Sequence, residues 1–381
     1  MVDPRHKRPK VLTLMPIYHP IAYGASYASQ LLLESDFSSV YELHHINSRF
    51  ADTVAGVGGV SVKKLVLFFK YLSLLLIALI TVRPDYVILL PAFNRSAYLK
   101  DSIYHVVCAV LARRKVIWWS HNWGLRRLYD GSGHLMRRYI RWIAGSVYAV
   151  VTPGSQQHAD FDFLFQLKQL HAIPHGLPSE AYDMDRFDEH HDFRVLYLSN
   201  FVLSKGWRVL LDAAQQVCAC RTDMAFDFYG NVSNDTSLND IIEAFTSTGF
   251  PERIIYHGPA YGPVKHKAFE TADIFCFPTF YPMETFGIVN LEAMNAGLPI
   301  ITTDHANIPE IVVDGWGGIL VPKQDPVALA EAILRLSDDR NVRLRMGAYN
   351  QRQFYAQYTV DKFVQSWISL VRSFEDEHMS D

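Results

Sequence analysis

Two glutamates eight residues apart, Glu284 and Glu292, lie in PTFYPMETFGIVNLEAMNAGLPII, residues 278–301. The strand-like DIFCFP ends just before this stretch, and a loop carrying Glu284 follows. A helix is predicted from near Gly287 to Gly297, with Pro299 just beyond. The unpaired amides at such a helix start, with the positive end of its dipole, form an anion site near Phe286 to Val289. Eight helical residues advance about 12 Å, more than the roughly 5–9.5 Å between the two carboxylates of a glycosidase. The pair therefore reads as the two ends of one extended ligand with phosphates between them, and not as an acid/base dyad on a single bond. Ile288, Val289 and Ala296 place Glu292 on an apolar stripe, where a carboxylate needs a partner. Glu284, taken without its neighbours, reads equally as an ordinary loop carboxylate.

Further candidates lie elsewhere. In LYLSNFVLSKGW (196–207), Lys205 sits beside Gly206 between a predicted strand and a helix. A lysine there can meet phosphate as a compact charge, although alone it reads as a surface lysine. Gly24, in the loop after the first strand, either lets backbone approach a ligand or merely turns the chain. His121 directly follows KVIWWS, where it can donate a hydrogen bond to a sugar hydroxyl or to developing charge, or be a satisfied structural histidine. GVGGVS (56–61) fails as a dinucleotide fingerprint, since no strand immediately precedes it and Ser61 replaces the last glycine. No P-loop, serine elbow, H-E-x-x-H or paired Cys/His cluster occurs, so no metal site is expected. Cys108, Cys218, Cys220 and Cys276 fit neither a disulfide framework nor a zinc site and are expected to be reduced.

Elements that could position these residues follow a βαβ rhythm. Buried strands are predicted at 11–16, 86–91, 115–120 and 147–153, with helices around 24–34, 63–82, 97–113 and 133–144. The rhythm pauses over 173–193, an exposed linker by its prolines and charges. It resumes with strands at 193–200, 224–230, 253–258, 273–278 and 297–303 and helices at about 205–220, 237–247 and from 287. At 381 residues the chain suits two domains, and its 49% hydrophobic content excludes a mainly disordered protein. Two doubly wound α/β domains with a cleft between them are the economical architecture, with ligands at the carboxyl ends of the strands. The net charge of −3 is uneven, because residues 1–172 carry 20 Lys+Arg against 10 Asp+Glu and residues 173–381 carry 16 against 29. Charge runs such as RHKRPK (5–10), Arg113-Arg114-Lys115, Arg126-Arg127 and Arg137-Arg138 read as solvated faces or as attraction to an anionic membrane. Nucleic acid is not expected, for want of a binding motif. The basic start leads into a strand-length apolar run and does not read as a secretory signal. The apolar segment 65–82 reads first as a buried core helix. Lys70 leaves only Tyr71 to Val82 uncharged, about 18 Å against a hydrocarbon core of about 30 Å, so a span is not expected. With Lys63, Lys64 and Lys70 it also suits a helix docked on a membrane surface.

Three features keep order and spacing over about 195–370: the SN-x4-KG loop (199–206), the FPT segment with E-x7-E and EAMNAGLP, and HANIPEIVVDGWGGILVP. With them the chain resembles the retaining glycosyltransferases of family 4, and HAIPHGLP resembles that family's interdomain hinge. The first 170 residues match loosely. The resemblance implies a GT-B fold of two facing Rossmann-like doubly wound domains with a deep cleft. Residues 1–175 would bind acceptor, joined by a C-terminal helix at about 355–375, and 176–354 would bind donor. It implies that Glu284 acts at the donor sugar and departing phosphate, and that Lys205 neutralises the diphosphate. Thr285, Phe286, Gly287 and Ile288 would hold sugar hydroxyls and diphosphate through their backbone, and Glu292 the ribose. His121 would sit over the sugar, and Gly24 would admit the phosphates. Asn200 and Gly206 belong to the donor loop, but the family often has arginine where this chain has Asn200, which removes a cation. The implied activity is metal-independent sugar transfer, with retention, from a UDP- or GDP-sugar to a glycan or lipid-linked hydroxyl. No cofactor is implied. Polysaccharide biosynthesis is the implied setting, in the cytoplasm or peripherally on the inner face of the plasma membrane. An epimerase or phosphorylase on the same fold, and a non-catalytic nucleotide-sugar-binding subunit, are the alternatives.

Overall fold

In six segments of the first half, Lys10–Met15 (β1), Glu42–Asn47 (β2), Tyr86–Leu89 (β3), Lys115–Trp119 (β4), Ala149–Thr152 (β5) and Leu170–Ala172 (β6), the chain is extended. Alternate residues of a strand face opposite ways, and here both directions are apolar. Leu12, Leu14, Val87, Leu89, Val116 and Trp118 enter one core, while Val11, Met15, Ile88, Ile117 and Trp119 enter another. Such strands need cover on both faces, which a parallel sheet with crossover helices supplies. The computed structural model, which describes residues 8–17, 24–50, 62–182, 192–233 and 235–380, shows that arrangement. The six strands are all parallel, in the order β2-β1-β3-β4-β5-β6. The helices of this region are α1 (Gly24–Glu34), α2 (Phe37–Val40), α3 (Val62–Thr81), α4 (Arg95–Val106, continued by a π-helical turn to Leu111), α5 (Leu125–Asp130) and α6 (His134–Ala144). α3, α4 and α6 contribute to the first core, and α1, α2 and the C-terminal helix Val360–Ser380 to the second.

A second all-parallel sheet follows, from β7 (Phe193–Leu198), β8 (Met224–Tyr229), β9 (Ile254–Gly258), β10 (Ile274–Phe277), β11 (Ile300–Thr303) and β12 (Gly318–Val321). Its order is β12-β11-β10-β7-β8-β9. Its helices are α7 (Trp207–Cys220), α8 (Leu238–Thr246), α9 (Gly262–Thr271), α10 (Ile288–Asn295), α11 (Ile308–Ile311), α12 (Pro326–Asp338) and α13 (Arg340–Gln353). Local signals start several of them. Ser237 and Asp240 form a capping box on α8, and Asp325 caps α12 with Pro326 in its first turn. The chain divides into Met1–Gly176 with Val360–Asp381, and Leu177–Thr359.

The structure corrects the sequence reading at three places. β2, β6 and β12 are strands that the apolar pattern missed: β2 is only half-buried, with polar residues at Glu42, His44, His45 and Asn47, β6 has three residues, and β12 opens on glycine and is half-buried at its middle two positions. The C-terminal helix begins at Val360, not near 355, because Phe354–Tyr358 close a π-helical turn whose Phe354 and Tyr358 are buried. The third concerns α3. It is not a buried core helix, since only Tyr71, Leu75 and Leu79 are buried, while Phe69 is 57% and Ile80 70% exposed. GVGGVS at 56–61, residues 5–7 of the basic start, the loop 18–23 and residues 183–191 of the 173–193 stretch lie outside the described residues.

Candidate functional site

In the second sheet β7, β8 and β9 run to one side and β10, β11 and β12 to the other, so the order reverses between β7 and β10. At such a reversal the loops leaving the carboxyl ends diverge and open a crevice. The two loops here are 199–206 and 278–287, which carry Lys205 and Glu284.

Packing fixes both. Phe201 is fully buried, its ring 5.1 Å from Trp207 and 4.8 Å from Tyr256, and it anchors the first loop. The chain then turns at Gly206 with φ 84°, where a Cβ would lie 2.1 Å from the Pro278 carbonyl oxygen. Only glycine permits that approach. The Phe280 amide donates to the Ser204 carbonyl at 2.8 Å, joining one loop to the other. Lys205 Nζ consequently stands 3.6 Å from Glu284 Oε2, both side chains largely buried, with the rings of Phe277 and Tyr281 at 5.8 and 5.6 Å. Glu284 Oε1 accepts the Gly287 amide at 3.2 Å, tying the carboxylate to the start of α10. Oε2 has no hydrogen-bond partner among the described residues.

The second loop is locked from behind. His305 Nε2 donates to the Tyr281 carbonyl at 2.7 Å, which fixes that tautomer. Asn307 donates to the Thr285 carbonyl twice, at 3.2 Å from its amide and 2.7 Å from its side chain. Thr285 and Phe286 are buried, and Gly287 caps α10 with φ 67°. The amides of Ile288 and Val289, which open α10, have no carbonyl one turn earlier in the helix to accept them, while that of Asn290 donates to the Gly287 carbonyl at 2.8 Å. Asn200 is exposed, its Oδ1 3.5 Å from Asn231 Nδ2.

Glu292 lies farther along α10 and has the partner its apolar stripe demands. Lys265 Nζ donates to Glu292 Oε1 at 2.7 Å. Burial alone would lower that lysine's pKa, but the Glu292 charge and hydrogen bond outweigh it and hold the ammonium above its ordinary value. Sequence reading missed Lys265, because nothing in GPVKHKAFET marks one of its basic residues. It missed His305, quoted only within a motif, and Asn290, whose fully buried amide has neither polar atom partnered among the described residues.

In the first unit His121 follows β4 and is buried. Its ring stacks on His175 with centroids 5.1 Å apart and planes 2° apart. Burial, then the neighbouring His175, hold its pKa well below the usual value, so the imidazole is neutral. Neither nitrogen has a partner among the described residues. Gly24 opens α1, beyond the carboxyl end of β1, next to the undescribed 18–23. The structure thus gathers Lys205, Gly206, Glu284, Thr285, Phe286, Gly287 and Ile288 around one switch point, with Asn200 in the same loop, and places His121 and Gly24 on the other sheet.

Residues 192–339 match the family described as glycosyl transferases group 1. Over that stretch the chain is similar to this glycosyltransferase family. It is 34% identical over 143 residues to phosphatidyl-myo-inositol mannosyltransferase of Mycobacterium leprae, covering 37% of this chain and 36% of that protein. It is 30% identical over 159 residues to D-inositol 3-phosphate glycosyltransferase of Paenarthrobacter aurescens, covering 41% and 38%. The chain therefore spans little more than a third of either relative. Among solved structures, HepE of Anabaena in complex with UDP superimposes with a TM-score of 0.72 at 17% identity, covering 96% of this chain and 100% of that one. Sucrose-phosphate synthase of Thermosynechococcus elongatus gives 0.72 at 16%, covering 97% and 100%. The two parallel sheets are those of GT-B glycosyltransferases.

Proposed function

We propose that the protein is a retaining glycosyltransferase that moves a sugar from a nucleotide diphosphate donor, a UDP- or GDP-sugar, to a hydroxyl of a lipid-linked or polysaccharide glycan. The observation that carries this reading is the convergence of Lys205 and Glu284, 3.6 Å apart, on the first turn of α10 at the switch point of the second sheet. Lys205 and the amides beyond Gly287 meet the charge that grows on the departing diphosphate, an interaction stronger in the transition state than in the bound donor. Glu284 orients the donor sugar, and Glu292, steadied by Lys265, takes the ribose hydroxyls. His121, being neutral, donates one hydrogen bond to the sugar. The acceptor's proton passes to the leaving phosphate, which needs no protein base. The residues of 1–175 serve the acceptor and those of 176–354 the donor. A relative named for a phosphatidylinositol acceptor and a structural neighbour solved with UDP support the acceptor and donor classes. The setting is cytoplasmic, with the first unit peripheral on an anionic membrane.

The test is turnover with a panel of UDP- and GDP-sugars. Glu284→Gln and Lys205→Ala are expected to lower kcat/KM by about a hundredfold or more each without a change in melting temperature. Near-normal turnover in either would remove that residue from its role. A donor that is bound and never turned over would leave a binding subunit, and epimerised donor or sugar phosphate as product would move the protein to another reaction.

A further inference from the structure

We infer that the first unit carries an anionic-lipid headgroup site, a basic cavity at the end of α3, and that the outer face of the same helix lies in the bilayer interface. The inference deepens the peripheral-membrane part of the reading above and rests on it. The cavity, about 770 Å3, opens at the amino ends of β1, β3 and β4, the end of the sheet opposite to the loops that carry Gly24 and His121. Arg8, Lys10, Arg83, Arg113, Arg114 and Lys115 line it against Asp85 and Glu375, six cations to two carboxylates. Several are already engaged. Arg8 donates to the Ser38 and Ser39 carbonyls, and Lys10 to that of Val82. Arg83 and Arg113 take part in none of the ion pairs among the described residues, and the buried Nε of Arg114 has no partner there.

Two turns of the chain bring cations to the same place. Arg83 and Arg113 have φ of 55° and 53°, left-handed conformations that a non-glycine residue adopts at a cost. Both strained residues open onto this one cavity. Both follow the end of a helix, where a left-handed residue commonly turns the chain, and together they place cationic donors where an anion with several oxygens would meet them.

The source of that anion is set by the helix beside it. On α3, Leu65, Phe69, Leu76 and Ile80 form one exposed stripe at helical spacing, beside the side that buries Tyr71, Leu75 and Leu79. Lys63 and Lys70, seven residues apart, flank the stripe. Ile80 belongs both to the stripe and to the cavity wall, so the apolar face leads directly into the basic cavity. α3 is long and apolar enough to cross a membrane, but with one side packed on the first unit its outer face is suited to lie in the interface plane. A phosphate attached to acyl chains meets both features at once, whereas a free phosphate meets only the cavity.

The test is flotation of the full chain with vesicles of phosphatidylcholine alone, or with about a third phosphatidylglycerol. The protein is expected to float with the anionic vesicles only. Arg83→Gln with Arg113→Gln and Arg114→Gln should weaken binding by about a hundredfold, while the same three positions as lysine bind like the parent. Phe69→Asp with Ile80→Asp should abolish flotation, and Phe69→Ser alone, a gentler change, should weaken it. Loss of binding counts only in variants that keep the parent melting temperature. No flotation of the parent, or equal flotation of the glutamine variant, overturns the site. A melting shift with inorganic phosphate or glycerol phosphate, without flotation, overturns the lipid source in favour of a soluble anion. Donor turnover in solution is measured on the same samples: intact turnover without flotation condemns the docking site alone, and flotation without turnover condemns the transferase reading alone.

Discussion

The two units are built on the same kind of parallel sheet but treat their surfaces and buried polar groups differently. In the second, the large apolar side chains left exposed are dispersed, as with Ile242, Val264, Trp316 and Val327, whereas in the first eight stand on α3 alone. Histidines divide the same way. His45, His105, His121 and His175 all lie in the first unit, and burial holds each below its ordinary value. In the second, His257 instead meets Asp227 at 2.6 Å. One architecture therefore serves two purposes: charges held on loops at a switch point in one unit, neutral polar groups under an apolar outer face in the other.

Mild acid should separate them most. His105 shows why. Trp118 Nε1 donates to its Nδ1 at 3.1 Å, so the proton sits on Nε2, which donates to Ser146 Oγ at 2.9 Å. Protonating Nδ1 would set one N–H against another. His45, His105 and His175 are pushed down to about 4 by burial, while in the unfolded chain they titrate near their ordinary value of about 6.5. Between those values the unfolded chain binds protons that the native one refuses, so stability falls as pH falls, by of order 1 kcal/mol per histidine at pH 5. Asp227 behaves otherwise. Burial opposes its charge, but hydrogen bonds from His257 and Arg194 hold its pKa below the ordinary value, so its contribution is lost only below about pH 4. Hydrogen exchange at pH 5 against pH 7.5 should show the first unit loosening first. Earlier loosening of the second would break the distinction.

A sharper cut runs through α3 itself. Leu75 is fully buried and Ile77, two residues on, is 57% exposed. Leu75→Ala should cost about 2–5 kcal/mol and Ile77→Ala no more than about 0.5 kcal/mol in urea unfolding. Equal costs would mean that the outer face is covered in solution, and that the unit is less exposed than its surface suggests.

Much of this is legible in the sequence. β1, β3, β4 and β5 announce themselves because strands buried on both faces need unbroken apolar runs, and the loop carrying Glu284 because a strand, a loop and a glycine-capped helix follow in order. What stayed hidden has physical causes. β2 carries two histidines and a glutamate at an edge where burial is partial, so no apolar period marks it. α3 is apolar on two sides, and periodicity cannot say which of them meets the core. Lys265 is invisible because its partner is 27 residues away in sequence, brought close only by how α9 and α10 pack. Gly206 reads as a turn, but only the structure shows the Pro278 carbonyl that forbids any other residue there.

The smallest expected effect tests whether the second unit's charges form one device or two. Lys265→Met removes the partner of Glu292 in a pair whose side chains are 30% and 22% exposed, so stability should fall by no more than about 1 kcal/mol. If Glu292 grips the ribose, far from the bond that breaks, the freed carboxylate binds donor less well and KM rises several-fold with kcat unchanged, since a uniformly bound group contributes equally before and at the transition state. A fall in kcat instead would couple Glu292 to the reacting end and merge it with the Lys205–Glu284 pair. Unchanged kinetics would reduce Lys265 and Glu292 to a surface latch, and the contrast between the units would then rest on the switch-point loops alone.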